Sequence, residues 1–133
     1  MNKFGLIISD ILNGKFIFIH NIIPSMHILF ICNQNQNRSK TAEELFSKRF
    51  ETKSAGLYNS RSVTSAQISW ADLIIVMEDF QRTELSKRFP KLYLQKHILS
   101  LEIPDIYTYN QPELISILNN KIKQVLNKLV LVC

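Results

Sequence analysis

The 133-residue chain predicts a single α/β domain in which a four-stranded parallel sheet is flanked by helices. Three observations carry this. From Met26 onward, short apolar runs of strand length alternate with longer segments at helical spacing. No tight two-residue turn joins those runs, so they need crossover connections, which favour parallel pairing. With 46% of residues apolar and 20% charged, the composition suffices for one packed core. No internal repeat, low-complexity tract or linker asks for a second domain.

The first strand is His27–Ile31, an unbroken apolar run. A helix over Lys40–Phe50 places Ala42, Leu45, Phe46 and Phe50 on one face, with Ser39 as its N-cap. A weak second strand is expected at Glu51–Ala55, ended by Gly56 and the polar Tyr58–Ser62 loop, followed by a short helix over Ala66–Ala71. Leu73–Met77 is the next apolar strand. Asp79 caps a helix reaching about Arg88, and Pro90 stops it. Ile98–Ile103 is the fourth strand. After a loop rich in Pro, Asp and Tyr, the closing helix starts near Gln111 and repeats Leu114, Leu118, Ile122, Val125, Leu126 and Leu129 at helical spacing, with Pro112 tolerated in its first turn.

Residues 1–25 are apolar without clean periodicity. Asp10, Asn13, Gly14 and Lys15 keep every apolar stretch short of the roughly 18 residues of a membrane span, and no small-residue cleavage site follows. The segment is therefore expected to be an extension, with the functional domain occupying residues 26–133. The two cysteines, Cys32 and Cys133, lack the spacing of a zinc site or a disulfide framework, which points to a reducing, cytoplasmic setting. A formal charge of +5 suits an anionic partner. The basic residues are scattered, so no run reads as a nucleic-acid arm.

Chemistry concentrates in Cys32-Asn33-Gln34-Asn35-Gln36-Asn37-Arg38-Ser39, between the first strand and the first helix. A loop wrapping from a strand into a helix N-terminus aims successive backbone N–H groups inward, and the helix dipole strengthens the resulting anion site. Cys32 at its entrance feels that potential and Arg38, which together favour the nucleophilic thiolate. Arg38 offers a planar fork of donors to two phosphoryl oxygens, a geometry that Lys does not match. Alone, Cys32 reads as a small buried hydrophobe at a strand end. The Arg six positions later and the strand-to-helix context tip the balance to an anion site.

These residues resemble the low-molecular-weight protein tyrosine phosphatases, especially their short bacterial type, from about Met26 almost to the C-terminus. The match rests on the Cys-x5-Arg-Ser loop from Cys32 to Ser39, on Ser54-Ala55-Gly56, on Ala71-Asp72 leading through an apolar strand to Met77, and on Pro104-Asp105-Ile106-Tyr107 late in the chain. The resemblance implies a phosphomonoesterase, acting on protein phosphotyrosine through a cysteinyl-phosphate intermediate. Cys32 is then the nucleophile, Arg38 the phosphate ligand and Asp105 the general acid and base, with neither cofactor nor metal. Asn33, Gln34, Asn35, Gln36, Asn37, Ser39 and Tyr107 are expected to line the substrate site, Ser39 hydrogen-bonding the thiolate. Tyr107 and Tyr109 either stack on an aromatic substrate or cover the core, and they are expected to shield the Asp105 carboxyl from water. Gln34 stands where better-known members have Gly, Asn37 where many have a second Cys, and Ile106 where Pro or an acidic residue is usual.

The implied partner is a phosphorylated protein or a small phosphate ester. Nucleic acid is permitted by the charge but indicated by no motif, and no membrane is expected. Three rivals stay open: a phosphatase for a nucleotide, RNA end or small phosphometabolite; a non-enzymatic phosphate-binding module; and an arsenate reductase, for which Cys133 is the only second thiol.

Overall fold

The structure, a computed structural model, describes residues 26–132. The proposed extension over residues 1–25 and the thiol of Cys133 lie outside the described residues. Four strands, β1 (His27–Cys32), β2 (Glu51–Gly56), β3 (Leu73–Val76) and β4 (His97–Ser100), form one sheet in the order β2-β1-β3-β4, every neighbouring pair parallel. Among the described residues, five helices connect and close it: α1 (Arg38–Phe46), α2 (Ser65–Trp70), α3 (Asp79–Arg88), α4 (Pro90–Gln95) and α5 (Pro112–Val132). This is the single α/β domain that the alternating pattern predicts.

Because side chains alternate across a strand, β1 and β3 divide their apolar residues between two cores. Ile28, Phe30 and Cys32 with Leu73, Ile75 and Met77 pack under Ala42 and Phe46 of α1 and under Leu114, Leu118, Ile122 and Val125 of α5. Leu29 and Ile31 with Ile74 and Val76 pack on the other face against Ala55, Ile68 of α2 and Leu85 of α3. Burial on both faces explains why these strands read as unbroken apolar runs. Among the described residues, no helix is long and apolar enough to cross a membrane.

Apart from ends shifted by one or two residues, and from the N-cap of α3, which is Glu78 where Asp79 was expected, three features differ from the sequence reading, each for a local reason. First, α1 ends at Phe46, because the chain must turn to begin β2. Turns carry the amide of Phe50 back to the Phe46 carbonyl at 3.0 Å, so both rings still reach the core, which is why the helical spacing ran on to Phe50. Second, Pro90 ends nothing further than α3; its preset φ opens α4, where its missing N–H costs no hydrogen bond. Third, β4 stops at Ser100, since Glu102 takes a left-handed φ of 55°. The amides of Leu101 and Ile103 still reach the carbonyls of Val76 and Met77, and both side chains stay buried.

The strand order changes direction at β1, with β2 on one side of it and β3 then β4 on the other, so a crevice opens beyond its carboxyl end. Gly56, at the end of β2, borders that crevice. A Cβ there would stand 2.8 Å from Asn59 Oδ1 and 3.0 Å from the Asn33 carbonyl oxygen. Gly56→Ala is therefore expected to destabilise the fold by about 1–3 kcal/mol, the usual cost of overpacking. A lowered urea midpoint at unchanged slope is the expected measurement.

Candidate active site

The loop from Asn33 to Asn37 joins β1 to α1 and is braced from both flanking strands. On the β2 side, the amides of Leu57 and Tyr58 donate to the carbonyls of Cys32 (3.0 Å) and Asn33 (2.9 Å). On the β3 side, fully buried Gln81 donates through Nε2 to Asn33 Oδ1 (2.9 Å), while its Oε1 accepts from the amides of Met77 (2.8 Å) and Glu78 (2.9 Å). Within the loop, Asn35 adopts φ 56°, a conformation that Asn tolerates better than most residues. That turn directs the Asn35 amide at Cys32 Sγ, 3.2 Å away.

Cys32 is buried, and its sulfur also lies 2.9 Å from the Ser39 hydroxyl. Ser39 is the second residue of α1. The N-cap position belongs to Asn37, which makes no side-chain capping bond, so the expected capping role of Ser39 is replaced by contacts with Cys32 and with Asn35 Oδ1 (2.9 Å).

Arg38 opens α1 and is only 1% exposed. Its Nη1 donates to Glu78 Oε1 and to the carbonyl of Ile103 (2.7 Å). Its Nε is buried with no hydrogen-bond partner and stands 3.6 Å from Asp105 Oδ1. An unsatisfied buried donor is costly. A guanidinium edge left in that condition beside a cavity is shaped to meet an incoming anion. The cavity itself, about 60 Å³, is lined by Cys32, Gln34, Gln36, Asn37, Arg38 and Asp105.

The fold thus gathers Cys32, Arg38 and Asp105, with three of the loop amide residues, around one small space. The other expected site residues sit elsewhere. Asn33, Asn35 and Ser39 brace the loop and the sulfur. Tyr107 is half-buried against the core under α5, and the Tyr109 hydroxyl donates to Glu44 Oε2 on α1. Neither ring lines the cavity, and the Asp105 side chain is 52% exposed, so the shielding expected of the two tyrosines is not what they provide. Sequence reasoning passed over Glu78 and Gln81. Both follow the carboxyl end of β3, and the rule that ligand sites lie beyond strand ends applies to them as it does to Cys32.

Solved structures with this architecture are numerous. The tyrosine phosphatase Wzb from Escherichia coli K30, in complex with phosphate, aligns over 78% of this chain and 98% of its own at 22% identity, with a TM-score of 0.62. A low molecular weight protein tyrosine phosphatase from T. tengcongensis aligns over 78% and 99% at 22% identity, with a TM-score of 0.61. The YwlE arginine phosphatase from Geobacillus stearothermophilus aligns over 79% and 88% at 21% identity, with a TM-score of 0.54. The fold is that of the low-molecular-weight tyrosine phosphatases. No family model matches the chain, and no curated protein does.

In this phosphatase fold the cavity's donors predict anion binding independent of any turnover. Inorganic phosphate is expected to protect Cys32 from alkylation by iodoacetamide, with Cys133 as an internal control in the same peptide map. Equal alkylation of Cys32 with and without phosphate would show that no anion occupies the cavity.

Proposed function

We propose that this protein is a cysteine-dependent phosphomonoesterase. The observation that carries the reading is the convergence of a buried thiol, an unsatisfied guanidinium Nε and a carboxylate on one cavity. In the first step the Cys32 thiolate attacks phosphorus, a P–S bond forms, and the bond from phosphorus to the leaving oxygen breaks as Asp105 donates a proton to it. In the second, water attacks the cysteinyl phosphate while Asp105 takes its proton, and the P–S bond breaks to release phosphate and the thiolate. Arg38 and the loop amides hold the charge on the non-bridging oxygens throughout. Ser39 and the Asn35 amide donate to the sulfur when it carries charge.

The contact between Asp105 and Arg38 has a consequence for this cycle. Without substrate, the carboxylate faces Nε across 3.6 Å. A phosphoryl oxygen that takes Nε displaces that attraction and leaves the carboxyl to the leaving group. The same geometry weighs against a purely binding module, which needs no carboxylate beside its anion. The reductase reading draws no support from the structural neighbours, which are named as phosphatases.

Protein phosphotyrosine is the first substrate reading, supported by the tyrosine phosphatases among those neighbours. One observation favours a second, a small or nucleotide phosphate ester: among the described residues, no aromatic ring lines the cavity. A reducing, cytoplasmic compartment suits a catalytic thiolate.

Cys32→Ser is expected to abolish hydrolysis of p-nitrophenyl phosphate while the circular dichroism spectrum is retained, because an alcohol is a far poorer nucleophile at neutral pH. Retained turnover would exclude the mechanism. Asp105→Asn is expected to slow hydrolysis of esters with poor leaving groups by about 10²–10⁴-fold, the typical worth of a general acid. Compared by kcat/KM, which stops at the cysteinyl phosphate, the activated nitrophenyl ester, whose leaving oxygen needs little protonation, should lose much less. Equal losses on both substrates would remove the acid role.

A further inference from the structure

Asp105 lies between β4 and α5, in a segment without regular secondary structure, yet a general acid must be held within a fraction of an ångström of its target. Upstream, the segment is fixed at Ile103, whose amide donates to the Met77 carbonyl (2.8 Å) and whose carbonyl accepts from Arg38. Downstream, a left-handed φ of 60° at Asn110 accompanies an amide that donates to Thr41 Oγ1 (2.9 Å), and the Tyr109 hydroxyl donates to Glu44 Oε2. Thr41 and Glu44 are three residues apart on α1, hence neighbours on one helix face. The helix that begins with Arg38 therefore also holds the far end of the segment carrying Asp105.

We propose that Glu44 and Tyr109, with Thr41 beneath them, are positioning residues that latch the Asp105 loop to α1 and set where its carboxyl stands relative to Arg38. The proposal rests on reading Asp105 as the general acid. Glu44 and Tyr109 do not line the cavity, and Tyr109 is 41% exposed, so the hydroxyl contact is a bond that the substrate site itself does not require. The hydrogen bond to Glu44 raises the Tyr109 phenol above its ordinary value, with slight burial and the Glu44 charge adding to it, so the donor keeps its proton through the neutral range.

Tyr109→Phe preserves the ring and removes the donor; Glu44→Ala removes the acceptor, and Glu44→Gln keeps one. In the full chain, Tyr109→Phe and Glu44→Ala are expected to lower kcat/KM on an alkyl phosphate by about tenfold, part of the roughly 10²–10⁴ that a general acid supplies. On p-nitrophenyl phosphate kcat/KM should move by less than about twofold, since that ratio stops at the cysteinyl phosphate, before the water-activating step that Asp105 also serves, and this leaving oxygen needs little protonation. Glu44→Gln should recover most of the loss. Backbone hydrogen exchange over residues 103–111 should quicken in Tyr109→Phe. Equal losses on both esters, no loss on either, or unchanged exchange would each overturn the latch. If Asp105→Asn shows no dependence on the leaving group, the acid reading falls by itself, and the exchange of residues 103–111 still decides whether the loop is latched.

Discussion

The structure depends on a buried guanidinium. Removing a charged group from water costs several kcal/mol unless it is paired and hydrogen-bonded, and Arg38 is almost entirely enclosed. Its partners come from two other segments: Glu78, just after β3, and the Ile103 carbonyl, just after β4. Meeting that one requirement pulls the carboxyl ends of three strands together. It also consumes Nη1 in the fold, so the Nε edge faces the cavity beside Asp105. One nitrogen of the side chain is thus held by the fold while another edge is left at the cavity, a division that a lysine ammonium does not offer in fixed planar geometry.

A similar accounting of hydrogens governs the sulfur. The Ser39 hydroxyl has one proton and two neighbours 2.9 Å away, Cys32 Sγ and Asn35 Oδ1. With a neutral thiol, the S–H can donate to Ser39 while Ser39 donates to Asn35. A thiolate instead accepts the hydrogen bond of the hydroxyl, and a half-turn of the Asn35 amide then presents an N–H to the serine oxygen. Both ionisation states are satisfied without moving the backbone. The backbone cannot move cheaply in any case, because Asn33 is tied to Gln81 on one side and to Tyr58 on the other.

What could be read from the chain follows from how far apart interacting residues lie. β1, β3 and α5 were legible because burial on both faces, or on one helical face, writes itself into consecutive residues. The Cys32–Arg38 pair was legible because its members are close in sequence and flanked by a strand and a helix. Glu78 and Gln81 were not, since their significance lies in contacts 40 and 48 positions away that no local pattern encodes. The kink at Glu102 was hidden for a different reason: Leu101 and Ile103 are both buried, so the apolar pattern continues across a break in the ladder. Pro90 was read for the helix it stops and not for the one it starts, although the same missing N–H and fixed φ serve both.

The size of the cavity constrains how recognition can work. About 60 Å³, walled by a sulfur, a guanidinium, a carboxylate and amides, suits a phosphoryl group. Whatever is esterified to it must lie at the mouth, where Gln34 and Gln36 are exposed and Ile106, beside Asp105, is 72% exposed. The tyrosines that sequence reasoning offered as stacking partners are engaged elsewhere, Tyr107 with the core and Tyr109 with Glu44. Among the described residues, none is placed to enclose an aromatic ring of a ligand. On the proposed mechanism, discrimination comes from contacts at the rim and from how readily the leaving oxygen accepts a proton, and the second of these follows the placement of Asp105.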